Sequence, residues 1–128
     1  LSADAQVMIH QELERCRPWI EAALEYSGGT HDFGDIASAV MTGHMQLWPA
    51  PKGCMVTEII TYPKIKALHI FLAGGELRQL LQMEDSIASW AKSQNCGRIT
   101  LNGRPGWKRV LEKRNAKVTH TFIAKDIL

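Results

Sequence analysis

KALHIFLAGGELRQLLQMEDSIASWA, residues 66–91, changes its hydrophobic period halfway along. Its first part alternates, Leu68, Ile70 and Leu72 against Ala67, His69 and Phe71, which predicts a strand over 66–72 with those three aliphatic residues on one face. Gly74 and Gly75 end the alternation, and a helical pattern begins at once, with Leu77, Leu80, Leu81, Ile87, Ala88 and Ala91 on its buried side and Trp90 near the edge. The unit is strand, glycine turn and helix. Two glycines at such a junction let the backbone approach a ligand closely, and the helix behind them offers free N–H groups and a partial positive charge to an anion. The same residues also suit an ordinary sharp connection, so both readings stand at this point.

Working upstream, alternation over Cys54–Tyr62 and His44–Trp48 predicts two more strands, joined by turns at Pro49–Gly53 and Tyr62-Pro63-Lys64. Connections this short imply an antiparallel meander. Before it, Ile9, Leu13, Cys16, Ile20 and Ala23 recur at three- and four-residue spacing, a helix over about Asp4–Tyr26 that Pro18 should kink or split. Asp32 is placed to cap a short helix whose face is Phe33, Ile36, Ala37, Val40 and Met41, stopped by Gly43.

Working downstream, Arg98–Leu101 is a fourth strand, parallel to the third because a whole helix separates them. A short helix over Trp107–Arg114 and a last strand over Lys117–Ala124 complete the order α-α-β-β-β-α-β-α-β. The expected class is a mixed α/β, or α+β, sheet covered by helices, in a single domain over residues 1–128.

Composition narrows the function. A hydrophobic content of 45% with 22% charged residues is that of a globular domain, and no apolar run approaches the length of a membrane span. The first residues lack the pattern of a secretory signal, and three widely spaced cysteines, Cys16, Cys54 and Cys96, argue for small core residues in a reducing compartment; the expected location is the cytoplasm. The five histidines show no metal-ligand spacing, so no metal is expected. The net charge of +2 is small, but residues 98–117 hold seven of the Lys and Arg residues against Glu112 alone. That segment reads as a solvated face or as a contact for phosphate or an acidic surface. Nucleic acid is disfavoured, since neither interleaved aromatics nor a double-strand motif accompanies the charges.

The order of elements over about Asp32–Lys125, and above all the segment IASWAKSQNCGRITLNGRPGWKRVLEKRNAKVTHTFIAKDI, resembles the GNAT family of N-acetyltransferases, and within it small GNAT-like proteins encoded by bacteriophages. The resemblance implies acetyl-CoA as cofactor and an amine as acceptor. It sets Leu72, Ala73, Gly74, Gly75 and Glu76 in the place of the family's pyrophosphate loop, with Arg78 and the basic segment available for phosphate. The loop's leading arginine or glutamine is missing. Where the family's later helix often carries a tyrosine that protonates the leaving thiolate, this chain has Leu111. Acetyl transfer needs a base for the amine, and Glu58 and His69 are the ionisable groups on the sheet that suit the task, with Tyr62 a more distant acid. Trp107, behind Gly-Arg-Pro-Gly, is placed to stand at the cleft mouth. The alternative is a GNAT-like protein without catalysis, a binding or virion-assembly module acting on a protein partner in the host cytoplasm or the virion.

Overall fold

A computed structural model describes residues 2–128. Helix α1 (Ala3–Leu24) begins at Ser2, whose hydroxyl accepts the N–H of Ala5. It continues as one helix through Pro18, so of the two expected outcomes, a kink or a split, the split does not occur. Pro18 removes one backbone hydrogen bond at a cost of about 3 kcal/mol. Burial of Leu13, Cys16, Ile20 and Leu24 along one stripe outweighs that cost. Helix α2 (Phe33–Met41) opens with a reciprocal cap in which Asp32 and Asp35 each accept the other's backbone N–H.

Strands β1 (Gln46–Ala50), β2 (Gly53–Thr61) and β3 (Lys66–Gly75) form the antiparallel meander, and β4 (Arg98–Leu101) pairs parallel to β3, giving the sheet order β1-β2-β3-β4. Two boundaries and one facial pattern depart from the sequence expectation. The first strand shifts from 44–48 to 46–50 and includes Pro49, which an edge strand tolerates because its missing N–H is not needed there. The third strand continues through Gly74 and Gly75, which pair with Cys54 and Gly53 instead of forming a loop. Leu68, Ile70 and Leu72 do not share a face. Val56 pairs with Leu72 but Thr57 with Ile70, so Phe71 is a bulged residue and the alternation inverts there.

The bulge divides the side chains between two cores. Leu72 joins Cys54, Val56 and the stripes of α1 and α2 on one face. Leu68 and Ile70 join Met55 and the helices of the other face. Those helices are two where one was expected: α3 (Leu77–Gln82) and α4 (Glu84–Ser93) meet at Met83, whose N–H bonds the carbonyl of Leu80 in a tightened turn. Leu80, Ile87 and Ala91 are buried as expected, whereas Leu77 is exposed. Trp48 and Trp90 meet edge to face with centroids 5.7 Å apart.

Helix α5 (Pro105–Glu112) starts two residues earlier than expected, on Pro105. The expected strand over 117–124 is absent; residues 117–128 form neither helix nor strand and are exposed. A strand exists only through a partner's hydrogen bonds, and among the described residues this segment has none. The order is therefore α-α-β-β-β-α-α-β-α, an α+β fold with a mixed four-stranded sheet.

Candidate functional site

β3 and β4 pair only from Ala67 to Ile70 and from Arg98 to Leu101, after which β3 runs on to Gly75 with no strand beside it on that side among the described residues. Alternate residues of Phe71–Gly75 therefore turn backbone N–H and C=O groups into the gap. The gap opens into a cavity of about 420 Å³ between β3, β4, α3, α4 and α5. Its walls are largely apolar: Met55, Ile70, Leu80, Ile87, Trp107 and Leu111. Polar groups stand at its margin, where Arg114 and Glu84 form an ion pair and Asn102 and Asn115 are exposed. An apolar trough with a ladder of unpaired amides along one wall suits an extended chain that carries its own amide groups.

On the opposite face of the sheet, one rung before the strands part, Glu58, His69 and Thr100 lie in register across β2, β3 and β4. His69 Nδ1 and Thr100 Oγ1 are 2.9 Å apart. Burial holds His69 below the ordinary histidine pKa, and the neighbouring Glu58 opposes that shift. Phe71, the bulged residue, reaches the fork itself: it lines the cavity, and its ring meets His31 of the α1–α2 loop at a centroid distance of 4.7 Å. Arg104, leading into α5, lies over the ring of Tyr26 at 4.3 Å, so the segment after α1 and the β4–α5 loop touch near the same place.

The structure separates the residues that the sequence grouped as a site. Leu72 and Ala73 line the cavity. Gly74 and Gly75 are closed off by the protein's own backbone: a Cβ on Gly74 would stand 2.6 Å from the carbonyl oxygen of Trp19, and one on Gly75, at φ +102, would overlap the Lys52 carbonyl oxygen and the Gly53 Cα. Glu76 donates its N–H to that same Lys52 carbonyl at 2.8 Å and leaves its side chain off the helix cap. Arg78 lies outside the cavity, in a shallow neighbouring hollow with Arg114 and Asp85. Glu58 and His69 come together. Tyr62 does not join them; it is an exposed residue of the β2–β3 connection, its N–H bonded to the Ile65 carbonyl at the far end of β3. Along an extended strand that end lies about 20 Å from Phe71. Trp107 does stand in the cavity wall.

Thr100, Phe71 and His31 carried no signal in the sequence. Phe71 could have been found only through the bulge, which depends on pairing with β2. Thr100 and His31 matter through residues 31 and 40 positions away in the chain, respectively.

The arrangement is a GNAT-like α+β fold with a cleft where β3 and β4 diverge. No protein-family model and no curated protein matches the sequence. Solved structures do match in fold. The TTHA1254 protein of Thermus thermophilus is 15% identical, with 92% of this chain and 92% of that one covered at a TM-score of 0.61. A ribosomal-protein-alanine N-acetyltransferase of Brucella melitensis biovar Abortus 2308 is 11% identical, covering 91% and 94% at 0.62. An acetyltransferase of Trypanosoma brucei is 12% identical, covering 75% and 78% at 0.59. At such identities the likeness is one of fold.

Proposed function

We propose that the protein is an N-acetyltransferase that binds acetyl-CoA in the cleft between β3 and β4 and transfers the acetyl group to an amine. The observation that carries this reading is the unpaired edge of Phe71–Ala73 over a cavity of about 420 Å³. The pantetheine arm of acetyl-CoA is a flexible chain with two amides, and it can pair with that edge as an added strand would. Its thioester then reaches the fork at Phe71, where a free backbone N–H can polarise the carbonyl.

The acceptor amine approaches from the face that carries Glu58, His69 and Thr100. A neutral amine is needed, and Glu58 or His69 takes its proton as the new C–N bond forms and the C–S bond breaks. Thiolate leaves and takes a proton from water, since Leu111 lines the cleft where the family resemblance calls for a tyrosine. The pyrophosphate end fits less well at the glycine turn, which the protein's own backbone fills, than beside Arg78 and Arg114.

Calorimetric titration with acetyl-CoA tests the reading directly, with release of free CoA thiol in the presence of a primary-amine panel as the companion assay. Saturable binding with amine-dependent thiol release is expected. An absence of binding at millimolar ligand overturns it. The second reading is a GNAT-like binding module without catalysis, favoured by Leu111 in the cleft wall. Saturable binding without thiol release for any amine selects it.

A further inference from the structure

The cavity does not stop at the fork. On the open side of the last paired rung, Ile70 with Leu101, it is bounded by Leu72 and Ala73 of β3. On the other side of that rung the same space runs back over the paired strands, where β4 lines it at Leu101, Ile99 and Arg98. Three residue steps of strand measure about 10 Å. The walls of this stretch are apolar, with Ile70 and Met55 of the sheet, Ile87 of α4 and Trp107 of α5. Ile99 shows that the stretch is unfilled. Its partner in the pairing, Leu68, is fully buried among residues of α3 and α4, whereas Ile99 is 39% exposed although it lines the same covered face. An apolar space of this kind gains from an apolar occupant, which removes more hydrocarbon surface from water.

The direction of the donor names the occupant. In the complex proposed above, the pantetheine arm lies along Phe71–Ala73 and its thioester stands at Phe71. A group joined to the thioester carbon then has two ways to go. Through the fork it meets the row of Glu58, His69 and Thr100, polar groups that a hydrocarbon would strip of water. Straight on, in line with the arm, it passes over Ile70 and Ile99 on the cavity side. A methyl group ends at the first residue of that stretch. A straight alkyl chain fills it.

We infer that the preferred donor carries an acyl group longer than acetyl, a straight chain of roughly six to eight carbons lying over Ile70 and Ile99 and bounded by Ile87 and Trp107. The inference rests on the acyl-transfer reading and names the donor class for it. The chemistry keeps its balance: the amine nitrogen bonds the thioester carbon, the C–S bond breaks, the amine proton goes to Glu58 or His69, and the CoA thiolate takes a proton from water.

Calorimetric titration and amine-dependent thiol release with acetyl-, butanoyl-, hexanoyl-, octanoyl- and dodecanoyl-CoA test the inference on the unaltered protein. Saturable binding is expected to tighten by up to about fourfold per methylene, with kcat/KM highest at hexanoyl or octanoyl and lower again at dodecanoyl, which outruns the stretch ending at Arg98. Ile99→Trp narrows the space, and its ratio of hexanoyl to acetyl kcat/KM is expected to fall by about tenfold or more, with circular dichroism to confirm the fold. Should that variant not fold, the chain-length profile of the unaltered protein decides alone. A profile highest at acetyl overturns the inference and leaves acetyl transfer standing. A rise that continues through dodecanoyl overturns it too, because it shows apolar adsorption without a bounded site. A folded Ile99→Trp variant with the parent's ratio does the same. Failure of every thioester to bind overturns the acyl-transfer reading itself, and the inference with it.

Discussion

His69 on β3 is held by Thr100 on β4, Nδ1 to Oγ1 at 2.9 Å, one rung before the two strands separate. The pair ties the ring to the closed side of the fork, with Glu58 next to it on β2. With Nδ1–H donating to Thr100 Oγ1, the neutral ring keeps Nε2 as its proton acceptor, the tautomer that a base for an amine requires.

If this row supplies the base, His69→Ala or Glu58→Ala lowers turnover by about two to four orders of magnitude. Steady-state thiol release checks this, with circular dichroism to confirm the fold. Unchanged activity in both variants removes the assignment.

Thr100→Val keeps the shape of the side chain and removes its hydroxyl. Under the proposed reading, in which acetyl-CoA occupies the cleft on the other face, the expected result is a fall in kcat with a shifted pH profile and little change in KM for acetyl-CoA. Thr100→Ser is expected to restore both, which a role in packing alone would not predict.

The pH dependence of stability has a definite sign. Burial depresses the pKa of His69 below its unfolded value, near 6.5. Its favourable contribution is complete above that pH and is lost as pH falls through the depressed folded value. Denaturant midpoints measured between about pH 8 and pH 5 are expected to fall, and His69→Gln is expected to flatten that part of the curve.

Gly75→Val acts on the fold before it acts on any ligand. The new side chain meets the Lys52 carbonyl and Gly53 at a backbone φ of +102. Strain and overpacking together cost on the order of 2–5 kcal/mol, read as a lowered denaturant midpoint. A variant as stable as the parent contradicts the contact between the β3 end and the β1–β2 turn.

Cys16 and Cys54 are buried, and burial raises the thiol pKa of both. Thiolate is the reactive form, so a thiol reagent at pH 8 is expected to modify partly buried Cys96 first. The other two are expected to react only under denaturant. Mass spectrometry of the partly modified protein distinguishes the sites.

The sequence by itself determined the elements whose signals are local. The stripe through Leu13, Cys16 and Ile20, the Asp32 cap, the alternation around β2 and β3, and the helical segment between β3 and β4 are all written in residues a few positions apart. They were enough for an antiparallel meander with one parallel strand added. Tertiary structure alone decided the rest. The bulge at Phe71, which sends Leu72 to the opposite core from Leu68, arises from pairing with β2 and not from the pattern of β3. The glycines that read as a ligand turn are required by the close approach of Trp19, Lys52 and Gly53, contacts that no local pattern encodes. Thr100 became part of a site only when β4 came beside β3. The strand pattern at 117–124 was legible, but a strand is completed by its neighbour, and the folded single chain supplies none among its described residues.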